Sequence, residues 1–165
     1  MLKHGMRIGF VALLVVAAVW VPATAQAATQ SWIVNANSEL CLTINGGSTA
    51  DNGVAVQFDC DYHDARFWYR RNVGGGYFNI VNAHSNKCLT IAGGSKSNNA
   101  AAVQYKCDGH LSRNWRVTGT VHVKIVNQHS TKCLTPAGGS SDNLARIVQY
   151  NCDDHPSRTW FSGLW

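Results

Sequence analysis

The sequence predicts an all-β fold of three four-stranded repeats with pseudo-threefold symmetry, and three observations predict it. One motif recurs three times in register, six cysteines share one spacing, and turn residues cut the chain into strand-length runs. Each repeat opens on Ile-Val-Asn, at Ile33-Val34-Asn35, Ile80-Val81-Asn82 and Ile125-Val126-Asn127. Cys-Leu-Thr follows at Cys41, Cys88 and Cys133, then Gly46-Gly47-Ser48, Gly93-Gly94-Ser95 and Gly138-Gly139-Ser140. Val56-Gln57-Phe58, Val103-Gln104-Tyr105 and Val148-Gln149-Tyr150 come next. A cysteine, an aspartate (Asp61, Asp108, Asp153), a histidine (His63, His110, His155) and a closing Trp68, Trp115 or Trp160 end the unit. A self-similarity of this length marks a repeat architecture, and it outranks any local assignment.

Within a unit, four runs rich in Val, Ile and aromatics are separated by Gly, Asn, Asp and Ser, the pattern of strands joined by turns. In the second unit the runs are 77–82, 88–91, 101–107 and 114–117. No window carries the 3.6-residue periodicity of an amphipathic helix. Three units of four make twelve strands. A propeller blade also has four strands in about 40 to 45 residues, but propellers need at least four blades. Three units closing about one axis make a β-trefoil. The cysteines of each unit lie 19 residues apart, and pairing them within units (Cys41–Cys60, Cys88–Cys107, Cys133–Cys152) respects the threefold pattern. Each bridge then ties a second strand to a third across the Gly-Gly-Ser loop, contributing about 3 kcal/mol by constraining the unfolded chain. The closing tryptophans and Trp32 are expected in the core, and Asn35, Asn82 and Asn127 in turns.

The first residues carry Lys3 and Arg7, an apolar run from Ile8 to Val21, and the small-residue segment 23–28. That order is a secretory signal peptide. The apolar run ends at Pro22, short of the roughly 20 residues of a spanning helix. Residues 1–28 are therefore read as a signal and 29–165 as one secreted, extracellular domain with no membrane association. An even number of cysteines fits an oxidising compartment. The formal charge is +5 for the whole chain. No basic cluster exceeds Arg70-Arg71, so a nucleic-acid footprint is not indicated.

The repeated Cys-Leu-x-x, Gly-Gly, Val-Gln-aromatic-x-Cys and closing Trp resemble the ricin B-type lectin family, also called carbohydrate-binding module family 13. The resemblance covers about residues 30 to 165 and implies a β-trefoil with up to three sugar pockets, one per unit. It implies an aromatic platform at Phe58, Tyr105 and Tyr150. The family's carboxylate position holds Thr43, Thr90 and Thr135 instead. Its closing Asn-Gln pair is replaced by Ala65-Arg66, Ser112-Arg113 and Ser157-Arg158. Its pocket glutamine is displaced by one residue, to Gln57, Gln104 and Gln149.

Side chains alternate faces along a strand. If Val56 points into the core, Phe58 does too and Gln57 faces outward, whereas alignment on the cysteines makes the aromatic a platform. Both readings stand at this level. Loop groups available to grip hydroxyls are Asp61 with His63, Asp108 with His110, and Asp153, Asp154 and His155 beside Asn151. Each aspartate also has a structural reading, as a turn cap or as partner of the nearby arginine. The expected sugar-binding set is Tyr150, Asn151, Asp153, Asp154, His155 and Gln149 in the third unit, Tyr105, Gln104, Asp108 and His110 in the second, and Phe58 and Gln57 in the first. The third unit is expected to bind best and the second next.

No metal site or cofactor is expected, because threefold-related histidines on a domain of about 14 Å radius of gyration lie roughly 20 Å apart. Glycoside hydrolysis needs two carboxylates facing one bond, and Asp153-Asp154 is repeated nowhere else. The sequence thus reads as a non-catalytic, secreted binding domain whose partner is a carbohydrate, of galactose or xylan type. The alternative is a trefoil that has lost its sugar sites and binds a protein, such as a secreted hydrolase that it inhibits.

Overall fold

The computed structural model describes residues 29–161, so the expected signal segment 1–28 lies outside the described residues. The strands are β1 (Cys41–Ile44), β2 (Ala55–Phe58), β3 (Trp68–Gly74), β4 (Tyr77–Asn82), β5 (Cys88–Ile91), β6 (Ala102–Tyr105), β7 (Asn114–Thr118), β8 (His122–Asn127), β9 (Cys133–Pro136), β10 (Ile147–Tyr150) and β11 (Trp160–Phe161). All pairings are antiparallel. The hairpins β1–β2, β5–β6 and β9–β10 are equivalent, each setting the first cysteine of its unit opposite the aromatic: Cys41 on Phe58, Cys88 on Tyr105, Cys133 on Tyr150. The three disulfides are the within-unit ones.

The fold is the expected β-trefoil, with eleven strands among the described residues where twelve are expected. The first strand of the first unit is reduced to isolated bridges, Ser31 to Trp68, Val34 to Cys41 and Asn35 to Trp160. Among the described residues its bridge to the other end of the chain is Asn35 to Trp160 of β11.

Inward positions form one core. Ile33, Ile80 and Ile125 meet Leu42, Leu89 and Leu134, with Trp68, Trp115 and Trp160 fully buried among them. A buried indole N–H needs an acceptor, and each finds the leucine carbonyl of its own unit: Leu42 at 2.9 Å, Leu89 at 2.9 Å and Leu134 at 3.0 Å. Trp32 departs from the expectation. It neighbours the inward Ile33 and so points the other way, half-buried against Tyr62 and Phe67.

The asparagines do more than turn the chain. Asn82 Oδ1 accepts from the backbone N–H groups of His84 and Ser85, closing an Asx turn, while its Nδ2 donates to the Ala65 carbonyl of the preceding unit. Asn127 repeats this on Ser112, and Asn35 on Ser157. Each is essentially fully buried, so every unit boundary is stitched by one amide.

Candidate functional site

Three equivalent pockets, one per unit, lie beside the hairpins. The first (about 310 Å³) is lined by Thr43, Val56, Phe58, His63, Arg66 and Leu144, with the Asn45–Gly47 turn. The second (about 430 Å³) is lined by Thr90, Val103, Tyr105, Asp108, His110, Arg113 and Asn52, and the third (about 380 Å³) by Thr135, Val148, Tyr150, Asp153, His155, Arg158 and Asn99. A concave site with an aromatic wall and a few convergent polar groups is the usual form of a small-ligand site.

Strand alternation and cysteine alignment agree once the premise about valine is corrected. Val56, Val103 and Val148 are pocket floor, not core, so Phe58, Tyr105 and Tyr150 share their face and line the same pockets. The core residues are their neighbours Ala55, Ala102 and Ile147. Gln57, Gln104 and Gln149 follow these inward and are 0 % exposed. They do not line the pockets, which corrects their place in the expected site. Gln104 Nε2 donates to the carbonyls of Ser48 (2.7 Å) and Ala50 (2.9 Å) in the first unit, and its Oε1 accepts from Ser85. Gln149 holds Ser95 and Ser97 of the second unit in the same way, and Gln57 holds Ser140 and Asp142 of the third. The three amides close a ring around the pseudo-threefold axis.

That ring delivers to each pocket a residue from another unit, which sequence reasoning missed. The N–H of Asn52 donates to the Gln104 carbonyl, that of Asn99 to Gln149 and that of Leu144 to Gln57. All three sit at positive φ (63°, 63° and 65°). Their matching places in the repeats were visible; the crossing between units was not.

The arginines, read from the sequence as departures from the family pattern and as candidate partners of the aspartates, organise the pockets. Arg66, Arg113 and Arg158 lie over Phe58, Tyr105 and Tyr150, with ring centroids 4.8, 4.9 and 4.7 Å from the guanidinium carbon. Such stacking draws on the ring quadrupole and the planar, weakly hydrated guanidinium. Each Nε pairs with the loop aspartate of its unit: Asp61 at 2.8 Å, Asp108 at 3.0 Å and Asp153 at 3.1 Å. Those aspartates also accept the backbone N–H of the histidine two residues on. They are turn caps and arginine partners, and Asp108 and Asp153 line pockets as well.

Burial opposes the charge on Asp153, but the N–H of His155 and the Arg158 guanidinium outweigh it and hold the carboxyl below its ordinary range. The histidine Nδ1 atoms accept the N–H of Ala65, Ser112 and Ser157, capping the short 3₁₀ turns. Each ring lies against the backbone of Gly47, Gly94 or Gly139, where an added Cβ would stand 2.8, 3.1 or 2.7 Å from the imidazole. The second glycine of each Gly-Gly-Ser is therefore fixed by both its positive φ and this contact.

Two expected residues fall away from the third pocket. Asn151 Oδ1 accepts from Lys132 and Asp154 pairs with Lys124 at 3.1 Å. The threonines at the family's carboxylate position are buried, with Oγ1 donating to the carbonyls of Ala65, Ser112 and Ser157. Among the described residues no group of three or more metal-ligating side chains occurs, and no helix is long and apolar enough to cross a membrane.

The family model of ricin-type beta-trefoil lectin domain-like proteins matches the chain over residues 17–105, 64–150 and 111–162. No curated protein matches it. Among solved structures, the designed threefold-symmetric protein ThreeFoil is 28% identical, with a TM-score of 0.78, covering 80% of this chain and 96% of its own. An exo-β-1,3-galactanase from Clostridium thermocellum is 27% identical with a TM-score of 0.79, covering 86% of this chain, which spans only 30% of that enzyme. The Polyporus squamosus lectin, solved with a sialylated galactose-containing epitope, is 17% identical with a TM-score of 0.66, covering 83% of this chain and 49% of its own, a likeness of fold alone. With three overlapping family matches across three structurally equivalent units, this chain belongs to the ricin-type β-trefoil lectin domain-like family.

Proposed function

We propose that residues 29–165 form a secreted, non-catalytic carbohydrate-binding domain for galactose- or xylan-type glycans, with residues 1–28 as its signal. The observation that carries this reading is the repeated ring, Phe58, Tyr105 or Tyr150, held in a pocket wall by an arginine over one face. An aromatic fixed in this way stacks against the C–H face of a sugar without first being ordered, which lowers the entropy cost of binding. The adjoining His, Asp and Asn groups supply acceptors and donors for hydroxyls. The likeness to the galactanase and the three disulfides support a galactose-type glycan and an oxidising compartment.

The third and second pockets are the stronger candidates. Both have a tyrosine, a lining aspartate and an asparagine from the neighbouring unit, where the first has Phe58, no lining carboxylate and Leu144. A glycan array probed with the purified protein tests the reading. Binding to galactose- or xylose-terminated glycans is expected, and an empty array would turn the assignment toward a protein partner.

A further inference from the structure

The first unit carries an aromatic surface cluster where the other two units are polar. The residue before the inward isoleucine is Trp32, Asn79 or Lys124; the second residue after the closing cysteine is Tyr62, Gly109 or Asp154; the residue before the core tryptophan is Phe67, Asn114 or Thr159. In the second unit Asn79 donates to Asn114 Oδ1 at 2.9 Å and to the Arg113 carbonyl at 3.0 Å. In the third, Lys124 pairs with Asp154 at 3.1 Å. In the first, the rings of Trp32 and Tyr62 lie 5.7 Å apart and those of Trp32 and Phe67 5.8 Å apart. The trefoil is built twice without these aromatics, so the fold does not require them.

Two further features set the cluster apart. Tyr62 is 84% exposed, yet its ring is backed by Trp32, which presents a preorganised face to solvent. Trp32 Nε1 is the one buried side-chain nitrogen or oxygen among the described residues with no hydrogen-bond partner. A buried donor without an acceptor is costly. In the chain Tyr62 stands between Asp61, which pairs with the Arg66 that covers Phe58, and His63, which lines the first pocket.

We propose that Trp32, Tyr62 and Phe67 form a stacking subsite that extends the first pocket and takes the following residues of a glycan chain. This rests on the reading of the Phe58 pocket as a sugar site and divides the three sites into two kinds. The second and third pockets grip single sugars through polar groups. The first, less polar pocket recognises a run of sugars through aromatic faces, and the buried Trp32 N–H beside the Tyr62 and Phe67 rings reports the arrival of the sugars. A single well-exposed ring fits one sugar face, whereas a protein partner needs about 800 Å² on each side around a buried core.

The test follows the Trp32 indole N–H signal by NMR, assigned with Trp32→Phe, during titration of the full chain with xylose, galactose, β-1,4-xylotetraose and β-1,3-galactotetraose. One tetrasaccharide is expected to shift the signal and the monosaccharides to leave it in place. Tyr62→Ala should weaken that tetrasaccharide about tenfold at this reporter, a loss of about 1.4 kcal/mol. Tetrasaccharide binding seen by calorimetry with the Trp32 signal unmoved, or with parent affinity in Tyr62→Ala, overturns the subsite and leaves the pockets standing. Absence of heat with all four sugars overturns the sugar reading and the subsite together. A parent that sediments as a dimer while Tyr62→Ala is a monomer assigns the cluster to a second copy of the chain and overturns the proposal.

Discussion

The guanidinium of Arg158 lies 4.7 Å from the centre of the Tyr150 ring, and the Asp153 carboxylate holds it there through Nε and Nη2. The pocket wall is therefore a three-residue stack, not a free tyrosine. Replacing Arg158 with Gln removes the cation from the ring and both contacts from the carboxylate. It should lower stability by about 1.5 to 3 kcal/mol, as expected for loss of hydrogen bonds to a charged group, and weaken glycan binding by unfixing the ring. Arg158→Lys should restore little, since an ammonium cannot reproduce the planar fork. Urea midpoints and calorimetric affinities for the two variants measure this.

Asp153 also gives the fold an acid limit. Its carboxyl is held below the ordinary value of about 3.9, so the folded state favours the charged form. A depressed carboxyl pKa contributes stability that is present above the unfolded value and is lost as pH falls through the folded one. The urea midpoint of the parent should therefore fall as pH drops below about 4. The drop should be shallower in Arg158→Gln, because the guanidinium is part of what holds the proton off. Equal pH slopes in the two proteins would disprove the coupling.

The glutamine ring predicts an effect on stability separate from binding. Gln149→Leu keeps the volume but leaves the carbonyls of Ser95 and Ser97 and the hydroxyl of Ser130 without their partners. At about 1 kcal/mol or more for each stranded group, a loss of about 3 kcal/mol is expected in denaturant unfolding. Binding per folded molecule should change far less, because the side chain does not line the pocket and the Asn99 N–H is held by the Gln149 backbone carbonyl, which leucine keeps. A selective loss of sugar affinity with stability intact would return Gln149 to the site.

The repeats, the disulfide register and the core tryptophans were legible because each depends on spacing within a unit. The glutamines were misplaced because alternation fixes which residues share a face but not which face is buried. Val56 resembles a core residue by composition and is a pocket floor by position. Asn52, Asn99 and Leu144 were overlooked because each acts on a different unit, through hydrogen bonds that no spacing along one repeat encodes. Asn151 and Asp154 were overvalued for the opposite reason: they crowd Tyr150 in sequence, while Lys132 and Lys124 draw them off it.

Leu144 is the odd member of its set. It holds φ 65° where the equivalent residues are asparagines, and it is 57% exposed. Asparagine tolerates the left-handed region better than a branched aliphatic residue. Leu144→Asn should therefore raise stability by about 1 kcal/mol and give the first pocket the polar rim of the other two. A lowered melting temperature would show that the leucine is held by packing and not merely tolerated.

Tyr105 and Tyr150 carry the sharpest prediction for binding. Both are half-buried at the pocket face of their strands, neither belongs to the core cluster, and the arginine over each ring belongs to the same wall. Tyr150→Ala and Tyr105→Ala should accordingly remain folded, with near-UV circular dichroism changed only by the missing ring. Each loses a stacking face and a hydroxyl, so each should bind about tenfold more weakly at its own site, or about 1.4 kcal/mol. Tyr150→Ala is expected to cost more total binding, because its pocket has the aspartate anchored most fully by arginine. Affinity electrophoresis or calorimetry on the glycan that the array identifies decides the matter. Folded variants that bind like the parent would remove the platform assignment and shift the site to the polar loop residues. Unfolded variants would show that the rings support the hairpins instead, through the arginine stacks beneath them.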